Sequence, residues 1–191
     1  MYFVKTPKLF TKIFPDVIWE CPSDRPELQL TFDDGPSTNT ENILDYLAEH
    51  GLTASFFCLG QQIEKHPDVF NRMIEEGHLV GNHGYAHLDG WKNSTNNYID
   101  DVERGYQLCK SRLFRPPFGR LTYSQYQSIK NKFQIVMWSM MPGDFDQNVS
   151  IQKCQSRLSR VNKRDIIVLH DHDDSTVLEL LKLIVLRNTS M

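Results

Sequence analysis

The chain has no Cys-x-x-Cys pair, no Gly-x-x-x-x-Gly-Lys loop, no internal repeat and no apolar run near the ~20 residues of a membrane span. The four cysteines, Cys21, Cys58, Cys109 and Cys154, stand singly, which excludes a chelating or thiol-exchange pair and predicts free buried thiols. Without the Gly-Lys loop there is no backbone cradle for a nucleotide phosphate, so phosphoryl transfer of that kind is set aside. Charge of one sign is also lacking. With 21 Lys+Arg against 24 Asp+Glu the formal balance is −3, too mild for a nucleic-acid or anionic-membrane partner. Residues 1–14 scatter Lys5, Lys8 and Lys12 and a proline through short apolar stretches, leaving no uninterrupted core for a secretory signal. The expectation is a cytoplasmic chain, or an extracellular or envelope-associated one from which a leader has been removed.

What is present is ordinary globular material: 191 residues, 40% hydrophobic and 24% charged. A chain of this length buries about 70% of its unfolded surface, so neither disulfide nor structural metal is needed and any metal serves chemistry. Short β-type runs alternate with longer helical patterns. Strands are predicted over 28–32, 54–59, 79–81, 113–115, 134–138 and 166–170, and helices over 41–50, 67–76, 98–111, 122–131, 151–161 and 176–186. Such alternation argues for βαβ units around a mostly parallel sheet or barrel. Asn39 or Thr40 is expected to cap the first of these helices, with Ile43, Leu44, Leu47 and Ala48 on its core face. Residues 89–97 read as a polar loop carrying Trp91, the run Asp171, His172, Asp173, Asp174 as a solvated loop, and 187–191 as a frayed tail.

Polar residues atypical of a core recur just past the predicted strand ends. Asp33 and Asp34 follow the first strand, His83 and His87 the third, Arg115-Pro116-Pro117 the fourth, Asp144 and Asp146 the fifth, and His170 ends the sixth. Each cluster alone has a duller explanation: Asp-Asp-Gly-Pro is built of turn formers, an i, i+4 histidine pair arises by accident, and His170 suits a core histidine satisfied by backbone. Their joint placement is harder to dismiss. In a parallel barrel all strand C-termini open on one face, where residues distant in sequence converge. His50, His66 and His78 lack such placement and are not ligand candidates.

Two imidazoles and a carboxylate are a recurrent three-ligand set for a catalytic divalent ion, and Asp34, His83 and His87 fit it. Zinc suits this set, as do cobalt, nickel and manganese. Asp33 is then free to act as general base on water held at the ion. His170 is the candidate acid, kept protonated by Asp144, and Arg115 pairs with Asp33 to hold it ionised and oriented. The backbone N–H of Phe118, the first after two prolines, is the candidate oxyanion donor beside the ion.

These residues resemble the polysaccharide deacetylases with a NodB homology domain, carbohydrate esterase family 4. The motif Thr-Phe-Asp-Asp-Gly-Pro stands at 31–36, His-Gly-Tyr-Ala-His at 83–87, Arg-Pro-Pro-Phe-Gly at 115–119, Asp-Phe at 144–145 and Val-Leu-His at 168–170. The resemblance implies an α/β fold, a distorted (β/α) barrel of six to seven parallel strands with outer helices. It implies one domain over 1–191, with 1–27 an N-terminal extension packed on the barrel. It also implies one divalent metal ion and removal of acetyl from an N- or O-acetylated sugar or polysaccharide. The roles it assigns, Asp33 base, Asp34, His83 and His87 ligands, Arg115 and Asp144 partners of base and acid, and His170 acid, match those argued from chemistry. Three positions depart from the family pattern: Gly84 for a serine or threonine, Phe145 for a tryptophan and Val168 for a leucine. Tyr85, Trp91, Phe118 and Phe145 are candidate sugar-stacking residues by position, with Pro117 and Leu169 beside them. Two other readings stand: hydrolysis of another linear amide or ester on the same fold, and a carbohydrate-binding pseudoenzyme.

Overall fold

The structure, a computed structural model, describes residues 3–7, 9–172 and 176–188. The helix α1 (Leu9–Ile13) precedes six strands: β1 (Leu30–Asp33), β2 (Ser55–Cys58), β3 (Leu79–Asn82), β4 (Leu113–Phe114), β5 (Gln134–Ile135) and β6 (Ile167–His170). They form one sheet in the order β5-β4-β3-β2-β1-β6, every pair parallel. Parallel neighbours require a crossover, and helices supply it. These are α2 (Thr40–Glu49) after β1, α3 (Gly60–Lys65) and α4 (Pro67–Glu75) after β2, and α5 (Thr95–Cys109) after β3. Then come α6 (Tyr123–Ile129) after β4, α7 (Ile151–Leu158) after β5 and α8 (Val177–Asn188) after β6.

The sheet curls into a distorted half-barrel, and backbone bridges span the remaining gap between β5 and β6. Val136 pairs in parallel with Ile18, and Met140 with Ile167, so the chain leaving β5 comes to rest against β6. The Val168 N–H donates to Met140 O at 2.9 Å. Residues 4–6 lie antiparallel to 139–141: the Thr6 N–H donates to Ser139 O at 3.1 Å and the Met141 N–H to Val4 O at 2.9 Å.

Strand side chains alternate faces, and this parity sorts core from site. Leu30, Phe32, Phe56, Cys58, Ile167 and Leu169 point outward into one cluster with Ile43, Leu44 and Leu47 of α2 and Leu180 and Leu181 of α8. The intervening positions Thr31, Asp33, Phe57, Val168 and His170 therefore point inward, and Phe57 and Val168 pack with Val136 and Trp138. On the β5 side, Phe114, Ile129, Phe133 and Val102 form the cover.

Several local expectations are corrected. Neither Asn39 nor Thr40 caps α2 with its side chain, because the Thr40 hydroxyl is engaged with Ser37 and Asp171 instead. Ala48 lies on the exposed side of α2, while Ile43, Leu44 and Leu47 are fully buried. The polar stretch 89–97 is not all loop: Gly90–Lys92 is a 3-10 turn, and α5 begins at Thr95, where the Ser94 hydroxyl accepts the Asn97 N–H. The helices α1 and α3 were not anticipated, being short and, in α3, opened by Gly60 followed by two glutamines. Asp171 is fully buried rather than solvated; Asp173, Asp174 and 189–191 lie outside the described residues. All four cysteines are buried and free, as expected.

Leu47 has no exposed surface and sits at the centre of the outer cluster. Leu47→Ala should therefore lower unfolding free energy by about 2–5 kcal/mol, read as a shifted urea midpoint at unchanged slope.

Candidate active and metal site

Inward parity and the parallel order bring the C-terminal ends of β1, β3, β4 and β6 to one mouth. Asp34 Oδ1 lies 3.4 Å from His83 Nε2 and 3.2 Å from His87 Nε2, and the three side chains form the one such ligand group found among the described residues. His83 Nδ1 is 2.7 Å from the Arg115 carbonyl oxygen, which can only accept; the proton is therefore assigned to Nδ1 and Nε2 is left as a lone pair. That lone pair faces Asp34 Oδ1, a buried oxygen with no hydrogen-bond partner. Acceptors confronting one another in a buried cradle, at the edge length of a tetrahedron with bonds of about 2.1 Å, are what a divalent cation fits. Burial works against the Asp34 charge, but the adjoining His83 and His87 imidazoles, with His170 beyond them, outweigh it and hold the carboxyl well below the usual carboxylate range.

Asp33, 3% exposed, points its Oδ2 toward His83 Nε2 at 4.0 Å, while its Oδ1 is taken by Arg115 Nη1 at 2.6 Å. The guanidinium has no exposure. It also donates to Thr31 Oγ1 at 2.7 Å and to the carbonyls of Val136 and Met137 at 3.1 Å each, and its Cζ lies 4.0 Å from the centre of the Phe57 ring. Asp144 accepts the His170 backbone N–H at 2.6 Å and stands 3.1 Å from His170 Nδ1. Burial disfavours the His170 charge, yet the Asp144 carboxylate, reinforced by Asp34 and Asp33, lifts the imidazole to about 9.

A cavity of about 670 Å³ opens from these groups, with Asp33, Asp34, His83, His87 and His170 at one end. Phe118, packed 4.5 Å from the His87 ring, Phe145, edge-on to His170 at 4.5 Å, and Trp91 all line it. Three candidate contact residues do not reach it. Tyr85 turns its hydroxyl to Glu64 at 2.7 Å under the Arg104 guanidinium, Pro117 is buried and leaves the lining to Pro116, and Leu169 faces the outer helices by parity. The turn at 117–120 bonds Gly119 N–H to Pro116 O and Arg120 N–H to Pro117 O, leaving the Phe118 amide outside these bonds.

Sequence reasoning missed the bracing. Asp101 of α5 accepts the Tyr85 and Ala86 amides at 2.9 Å each, and Asn82 accepts the Gly84 amide at 2.9 Å, which steadies the histidine loop. A side chain at Gly84 would collide with Asp101, so the departure from serine or threonine fits this arrangement. It also missed Asp171, lifted by burial to about 6 in spite of hydrogen bonds from Thr40 and Ser37. The far cavity wall of Phe3, Phe10, Phe14 and Trp19 went unread as well, although these four aromatics crowd the first nineteen residues. Of the four non-glycine residues at positive φ among the described residues, Asp34 (79°), His87 (57°) and Phe118 (58°) all belong to this site.

Two outcomes follow from this geometry. Arg115→Met should leave Asp33 charged, buried and alone, lowering stability by roughly 3–5 kcal/mol in urea unfolding. In metal-free protein, His170 should titrate near 9 by NMR and fall on Asp144→Asn. Because the folded value lies above the ordinary 6.5, the pair's stabilisation is full below that pH and lost as pH rises through about 9. The difference in unfolding midpoint between parent and variant should shrink over that window.

The polysaccharide deacetylase family model matches residues 21–136. A peptidoglycan-N-acetylglucosamine deacetylase of Bacillus cereus is 35% identical over 127 residues, 62% of this chain and 46% of the relative. Chitin deacetylase 2 of Saccharomyces cerevisiae is 32% identical over 166 residues, 79% of this chain and 52% of the relative. The chain thus spans about half the length of these two curated relatives. Among solved structures, the Bc1960 peptidoglycan N-acetylglucosamine deacetylase, in complex with 4-naphthalen-1-yl-N-oxidanyl-benzamide, superposes with a TM-score of 0.83 at 29% identity. That similarity covers 97% of this chain and 92% of the other. With five motifs in order and a family match over more than half its length, the chain belongs to the polysaccharide deacetylase family of carbohydrate esterases.

Proposed function

We propose that this chain is a divalent-metal-dependent hydrolase that removes acetyl from N-acetylated sugar residues of a glycan, as the names of its relatives describe for them. The observation that carries the reading is the confrontation of Asp34 Oδ1 with two imidazole Nε2 atoms and no hydrogen-bond partner for the oxygen. Asp34, His83 and His87 would hold the ion, zinc or another ion of similar preference. When bound, it supplies Lewis acidity to the scissile carbonyl and to water.

The protein's own groups take the protons. Arg115 fixes Asp33 Oδ1, so Oδ2 is the oxygen free to accept a proton from the attacking water. Asp144 fixes His170 Nδ1, so Nε2 is the atom that delivers a proton to the departing sugar nitrogen. At neutral pH a group lifted to about 9 is already the acid. The Phe118 amide is the oxyanion donor, and Phe118, Phe145 and Trp91 offer ring faces to a sugar.

A second reading, hydrolysis of a different linear amide or ester, is favoured by the apolar far wall, where Phe3, Phe10 and Phe14 offer a sugar hydroxyl no partner. Chelator treatment should abolish acetate release from N-acetylglucosamine oligomers, and added zinc should restore it. Asp33→Asn should lose about 100-fold or more in kcat while keeping its metal. A metal-loaded protein that cleaves simple aryl acetamides but no acetylated sugar would favour the second reading. One that binds glycan tightly without releasing acetate would be a pseudoenzyme.

A further inference from the structure

We propose that Asp171 is a positioning residue that holds the Asp33-Asp34 turn in its ligand-bearing shape and ties it to His170; this rests on the metal cradle proposed above. Its backbone N–H donates to the Asp33 carbonyl at 2.7 Å, extending the β1–β6 ladder one step past the Asp33–His170 pair. Its carboxylate accepts the Ser37 hydroxyl at 2.7 Å and the Thr40 hydroxyl at 2.5 Å. Each hydroxyl in turn accepts a backbone N–H, Asn39 to Ser37 Oγ at 3.0 Å and Ser37 to Thr40 Oγ1 at 2.7 Å. Backbone amide, hydroxyl and carboxylate thus form two parallel relays in which the direction of every proton is set.

These relays grip residues 37–40, and at Gly35 the carboxylate fills the space a Cβ would need. Between the two anchors and β1 sits Asp34, whose φ of 79° is costly for a residue with a Cβ and persists only where its surroundings over-determine it. Asp171 is fully buried and does not line the cavity, so it acts on the ligand through the backbone rather than on substrate. No Lys or Arg side chain is paired with it among the described residues, so its partners are the two hydroxyls that a neutral amide cannot both satisfy.

The test measures zinc affinity by competition with a chromophoric chelator, without substrate, beside kcat, KM and thermal unfolding, in Asp171→Asn and in Thr40→Val. In folded Asp171→Asn, zinc affinity should fall about tenfold or more and kcat should fall with KM within twofold, while Thr40→Val should shift affinity in the same direction by less. Added to Asp171→Asn, Thr40→Val should cause little further loss, since both act through one relay. Parent-like zinc affinity or parent-like kcat in folded Asp171→Asn overturns the proposal. If that variant does not fold, Thr40→Val decides: weaker affinity supports the proposal and parent-like affinity overturns it. Because the affinity needs no substrate, failure of the deacetylase reading would show separately, as parent protein that binds zinc yet releases no acetate.

Discussion

The site is organised around one residue whose two ends do different work. The Arg115 guanidinium, fully enclosed by Asp33, Thr31, two carbonyls and the Phe57 face, fixes a carboxylate of β1; the Arg115 carbonyl fixes the ring of His83, just past β3. A charge this deep is tolerated only because every direction it faces returns an acceptor or a π surface. Since β4 is two residues long, the ladder contributes little to holding Arg115, and these contacts do most of it. Asp33 and His83 are thus oriented by a single short strand end, which couples their geometries.

Four inward or buried aspartates show how environment divides identical side chains among roles. Asp33 has a guanidinium, Asp34 two imidazoles, Asp144 an imidazole and its backbone amide, and Asp171 only hydroxyls. Asp34 is pushed low by its imidazole neighbours, whereas burial lifts Asp171 to about 6 in spite of its two hydroxyl donors.

Much of this was legible in the residues. The six strands and their parallel arrangement followed from alternation of apolar runs, and the triad and its two partner pairs followed from which chemistries cluster past strand ends. What could not be read depends on contacts between segments with no local signature. Asp101 braces the histidine loop from α5, 15 or more residues further along the chain, and Asp171 looks in sequence like one more acid in the polar run 171–174. Tyr85, Pro117 and Leu169 were placed near the site by sequence adjacency; turn geometry and strand parity send each elsewhere. The barrel's closing bridges involve residues 5 and 18, which carry no strand pattern of their own.

The left-handed backbone at Asp34, His87 and Phe118 carries a consequence for how this chain can change. Glycine, with no Cβ, would sit there at lower backbone energy, so each position offers the folded state a relaxation of roughly 1–3 kcal/mol. At Asp34 and His87 that relaxation would discard a candidate ligand group, and at Phe118 a ring facing the cavity. Backbone stability and retention of this cluster therefore pull in opposite directions at these three positions, so a lineage in which the cluster is no longer needed would be expected to drift there first.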